Sequence, residues 1–72
     1  MDNLLKLIDS LETKITNAFI KYKKSFKWYV IEIKFPFTSE IFIVTNDCLE
    51  DNIRLVKREK EILDYLKGRK LI

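Results

Sequence analysis

Residues 26–45 read FKWYVIEIKFPFTSEIFIVT, and this stretch decides the fold. Side chains alternate across it with the period of two that a strand imposes. Tyr29, Ile31, Ile33 and Phe35 fall on one face, while Trp28, Val30, Glu32 and Lys34 fall on the other. Pro36 has no N–H to donate, so the first strand ends before it. Residues 36–39 supply the turn. Residues 40–45 return, with Ile41 and Ile43 on one face and Phe42 and Val44 on the other. The expectation is an antiparallel hairpin.

On either side of the hairpin the period changes. Leu4, Ile8, Leu11, Ile15, Ala18 and Tyr22 are spaced by four and three in turn, the seam of an amphipathic helix. Lys21, Lys23 and Lys24 crowd the expected end of this helix, where cations suit the dipole. After the hairpin, Asn46 and Asp47 start a second helix, and Asp47 and Glu50 have capping-box spacing. Leu49, Ile53, Val56 and Leu63 form its stripe, widened by Leu55, Ile62 and Leu66. Gly68 suits the left-handed position that closes a helix. The chain therefore predicts one α+β domain over residues 1–72, in the order α-β-β-α, with two helices packed on a hairpin.

Composition limits what such a domain can do. Cys48 is the only cysteine and His is absent, so an internal disulfide and a Cys/His zinc site are both excluded. No metal and no cofactor are expected. No apolar run approaches eighteen residues, so no membrane partner is expected. A lone cysteine fits the cytoplasm better than a secreted scaffold. Abundant Ile and Lys, with Gln and His absent, suit a thermophile or an AT-rich genome.

The hairpin is apolar on both faces, and two strands alone are marginal in water. If the helices cover one face, the other meets water with Trp28, Val30, Phe42 and Val44. A homodimer that joins two hairpins into a four-stranded sheet is the simplest completion. The alternative is one helix on each face, which buries everything in a monomer.

Charge is polarised along the chain. Residues 21–34 carry five Lys and one Glu; residues 35–53 carry four acids and no base; residues 54–72 carry seven bases and three acids. Lys21, Lys23, Lys24 and Lys27 alternate with Tyr22, Phe26, Trp28 and Tyr29, a combination suited to phosphates and stacked bases. Arg54, Lys57 and Arg58 form a second basic ridge. Together these blocks point to a small, non-enzymatic nucleic-acid-binding protein. The other reading is a compact interaction module, an adaptor or inhibitor of the kind encoded by viruses and mobile elements. Such a module would act through the Trp28/Phe42 face or the acidic residues 47–51. Glu32-Ile33-Lys34 has the Glu-x-Lys spacing of some metal-dependent nucleases. The second acid such a site needs is missing upstream, where the nearest is Glu12, so a same-face pair is the expectation. Cys48, beside Asp47, Glu50 and Asp51, is expected to be an apolar filler.

Overall fold

A computed structural model describes residues 2–72, Asp2 through its backbone alone. The chain is α+β, with α1 at Asp2–Lys14, β1 at Phe19–Lys24, β2 at Trp28–Lys34 and β3 at Ser39–Thr45. Two helices follow, α2 at Asn46–Glu50 and α3 at Asn52–Gly68. The strands form one antiparallel sheet in the order β1-β2-β3.

The strand β1 is the first departure from the sequence reading. The seam from Leu4 to Tyr22 does not run as one helix; it breaks after Lys14. Ala18, Ile20 and Tyr22 fit a period of two as well as Ala18 and Tyr22 fit a helical turn. The β-branched Thr13, Ile15 and Thr16 lower helix propensity at the break, and Phe19, Ile20 and Tyr22 suit a pleated surface. β1 then pairs with β2, Ile20 opposite Ile33 and Tyr22 opposite Ile31. The hairpin thus obtains a third strand from its own chain.

The second departure concerns faces. β2 and β3 pair Trp28 with Thr45, Val30 with Ile43 and Ile31 with Phe42. Lys34 lies opposite Ser39, so the connection is four residues, closed by the Phe35 N–H donating to the Thr38 carbonyl at 2.7 Å. A connection of even length sets odd-numbered residues against even-numbered ones. Phe42 and Val44 therefore share a face with Ile31 and Ile33, and Ile41 and Ile43 share the face of Trp28 and Val30. Phe42 and Val44 are buried and cannot serve as an open interface.

The helices cover that first face. Leu4, Leu7, Ile8, Leu11 and Ile15 from the N-terminal segment meet Ile31, Ile33, Phe35, Phe42 and Val44, with Leu49, Leu55, Ile62 and Leu66 closing the cluster. Ile53 and Val56, expected in the stripe of the second helix, are exposed instead. Leu55, Ile62 and Leu66 share one face at spacings of seven and four. Among the described residues no polar side chain is buried. The α1–α3 seam is held at its margin by Glu59, which accepts from the Ser10 hydroxyl at 2.9 Å and from the Lys14 ammonium.

The expected second helix is two helices. Thr45 caps α2 by accepting from the Cys48 N–H at 3.3 Å. Asp51, in extended conformation, caps α3 by accepting from the Ile53 N–H at 2.9 Å and the Arg54 N–H at 3.4 Å. Asp47 caps neither. Gly68 stays inside α3, and the positive φ that follows the helix belongs to Lys70. Replacing Asp51 with Ala should cost about 1 kcal/mol in urea unfolding. Asp47→Ala should cost less than half of that.

Candidate functional site

Alternation places Phe19, Lys21 and Lys23 of β1, Trp28, Val30, Glu32 and Lys34 of β2, and Ser39, Ile41, Ile43 and Thr45 of β3 on the uncovered side of the sheet. Across the strands this face reads in rows: Phe19–Lys34–Ser39, Lys21–Glu32–Ile41, Lys23–Val30–Ile43, and Trp28–Thr45. The two halves differ in chemistry. The β1 half is basic with aromatic corners; the β3 half is aliphatic. Phe19 and Ile41 are well exposed, at 77% and 65%, and Ile43 is at 49%. Trp28 and Val30 are half-buried.

The sequence-derived basic residues do not form one surface. Lys21 and Lys23 lie on the open face, one pleat apart at about 6.8 Å along the strand. Lys24 falls on the opposite parity, paired with Tyr29, and is exposed at the end of β1. Lys27 lies in the β1–β2 turn, its ammonium 5.6 Å from the Phe26 ring centroid. Arg54, Lys57 and Arg58 belong to α3. Arg58 reaches β3, the edge of the sheet away from β1.

Arg58 is engaged in the fold. Its Nε and Nη2 donate to the Ile43 carbonyl at 3.2 and 3.0 Å, and its Nη1 pairs with Glu61 at 3.4 Å. The guanidinium also lies over the Phe42 ring, 6.0 Å from the centroid. Arg54 pairs with Asp51 at 3.6 Å. By contrast, no ion pair involves Lys21, Lys23 or Lys34 among the described residues. Lys34 and Phe19 are the site residues that the sequence reading missed. Lys34 had its signal, since it alternates with Trp28, Val30 and Glu32. Phe19 was hidden by the helical spacing around it.

Glu32 and Lys34 share the open face, as expected, without an ion pair between them. Among the strand residues of that face Glu32 is the one carboxylate, because Glu40 has the other parity and pairs with Arg69 at 3.5 Å. Among the described residues no three metal-ligating side chains come together. Cys48 packs against the core, its thiol 3.5 Å from the Arg54 carbonyl. Burial pushes the Cys48 thiol up from its ordinary value, outweighing the opposing pull of Arg58. The exposed nucleophilic thiolate of a catalytic cysteine is not what this environment favours.

No helix among the described residues is long and apolar enough to cross a membrane. Comparison with known proteins gives no significant match to any family model, curated protein or solved structure.

Replacing Arg58 with Ala should lower stability by about 1–2 kcal/mol, because two hydrogen bonds to the Ile43 carbonyl are lost. The same change should leave any salt dependence of nucleic-acid binding where it was.

Proposed function

We propose that this chain is a non-enzymatic nucleic-acid-binding protein that uses the basic half of its open sheet face. One observation carries the reading: Lys21, Lys23 and Lys34, without an ion pair among the described residues, share that face with the exposed ring of Phe19 and with Trp28. Unpaired ammonium groups release counterions when they meet phosphates, and flat rings beside them accept bases. Lys27 extends the basic line around the turn. Arg54, Lys57 and Arg58 are left out of this surface, because they lie on α3, Arg58 reaches the opposite edge of the sheet, and Arg54 and Arg58 hold intramolecular partners. A cytoplasmic setting fits this role.

The salt dependence of binding is the test. On a single strand, each lysine that contacts a phosphate contributes about 0.7 to the slope of log affinity against log salt. Changing Lys21, Lys23 and Lys34 together to Ser should flatten the slope by about two units and leave folding unchanged, since all three are exposed. Glu32→Gln should act in the opposite direction. It removes the face's own negative charge, and at about 10 Å from a phosphate in water this is worth about a twofold gain in affinity at low salt. Absence of any gel shift by the wild type between about 50 and 200 mM salt would remove the reading.

The aliphatic half supports a second, compatible reading, self-association. Val30 and Ile43 are cross-strand partners, Ile41 and Trp28 share their face, and Ile41 and Ile43 are exposed. The occupant is a second copy, and charge sets how it docks. Two basic β1 halves repel, so two sheets packed face to face must be offset, with aliphatic halves in contact and lysines at the rims. This replaces edge-to-edge joining of hairpins, because β1 presents a lysine-rich edge and Arg58 covers a carbonyl of β3. Sedimentation at micromolar concentration should report about twice the chain mass of 8.7 kDa. Ile43→Asp should give a folded monomer that still binds nucleic acid, whereas a wild-type monomer would rule out the dimer.

A further inference from the structure

At the Phe19 corner of the open face, Asn17, Phe19, Lys21, Lys34, Phe35 and Pro36 enclose an open cleft of about 440 Å³. Its residues come from three places. Asn17 lies in the α1–β1 connection, Phe19 and Lys21 in β1, and the rest in the end of β2 and the turn after it. Phe35 is buried and forms part of the floor, while Phe19 stands exposed at the side. Phe19 and Lys34 are cross-strand partners, and Lys21 sits one pleat further along β1. The Asn17 amide donates to the Leu71 carbonyl at 3.2 Å, which ties this connection to the C-terminal segment.

We propose that this cleft binds one unpaired nucleotide, with its base stacked on Phe19 and its phosphate between Lys21 and Lys34. The proposal rests on the nucleic-acid reading above and narrows it to single strands. An apolar wall and an exposed ring supply a stacking surface, which any base can use because every base has a π-face. Two ammonium groups within one pleat of that ring supply the charge for a phosphate. A base held inside a duplex has its faces covered by its neighbours and cannot reach the ring. The next nucleotide of the strand runs along β1, toward Lys23. Phe37, almost fully exposed in the adjoining turn, lies beyond the Pro36 wall of the cleft.

The site makes predictions that simple attraction between charges does not. Fluorescence anisotropy would compare a labelled oligothymidylate of about ten nucleotides with its duplex, using wild type, Phe19→Ala, Phe19→Tyr and the Lys21/Lys34 double Ser variant. The single strand should bind more tightly than the duplex. Phe19→Ala should weaken single-strand binding by about tenfold or more without changing the salt slope, and Phe19→Tyr should restore it. The double Ser variant should flatten the slope. Thymidine 5′-monophosphate alone should shift the backbone amide resonances of Asn17 and Lys34 in the wild type, and these shifts should disappear in Phe19→Ala. The exposure of Phe19 means that the Ala variant folds, which a thermal melt checks independently. Wild type that binds neither strand form would reject the nucleic-acid reading and the cleft with it. Binding that is indifferent to Phe19→Ala, or equal for duplex and single strand, would reject the cleft while leaving phosphate contacts by the lysines in place.

Discussion

A pleated sheet has two faces, and the helices of this chain pack on one of them. The division of the molecule into an apolar side and a wet side follows from that asymmetry. Leu4, Leu7, Ile8 and Leu11 of α1 and Leu55, Ile62 and Leu66 of α3 all descend on the side of Ile31, Ile33, Phe42 and Val44. The resulting core has no buried polar side chain among the described residues, so the polar groups within it are those of the backbone, which helix and sheet pair. The cost falls on the other face, where Ile41, Ile43 and Phe19 stand in water. Burying them would add favourable transfer free energy of about 25 cal/mol per Å² of apolar area.

The distribution of charge follows the same division. Lysines that would be expensive inside the core sit on β1 and at the end of β2, on the wet face or the wet edge. The acids that close the fold, Glu59 and Glu40, lie at the margins, where each meets a basic side chain. Arg58 shows how a basic residue can look functional in a sequence and be structural in space. Its guanidinium lies over the Phe42 ring and donates to a backbone carbonyl, so its charge is largely spent inside the molecule.

Much of this was legible in the residues. The two strands at 28–34 and 39–45, the helix from the N-terminus and the helix that ends near Gly68 all follow from periodicity. β1 was not legible, because Ile15, Ala18 and Tyr22 satisfy a helical seam and Ala18, Ile20 and Tyr22 a strand, and only pairing with β2 chooses between them. The break at Asp51 was obscured in the same way: Asp47 and Glu50 offered a local cap, while the cap in use lies four residues later. The assignment of faces was within reach. A four-residue turn sets Ile31 against Phe42, and the parity of that turn places Ile41 and Ile43 beside Val30. On the functional side, the lysines of β1 were visible in the sequence, and so was Lys34 by its alternation with Trp28. The cleft was not, since Asn17, Phe19 and Pro36 converge only after β1 has formed.

The treatment of the sheet's edges limits how this molecule can assemble. β1 ends in Lys23 and Lys24, and β3 has its Ile43 carbonyl occupied by Arg58, so neither edge offers a clean template for another strand. Growth by strand addition would have no natural stopping point and would lead to fibres. An uncovered face works differently: once one partner is seated, it is used up. A partner seated on the aliphatic half would leave it with no further valence. Complexes formed there would be closed and saturable, and two ligands of that half would compete for it.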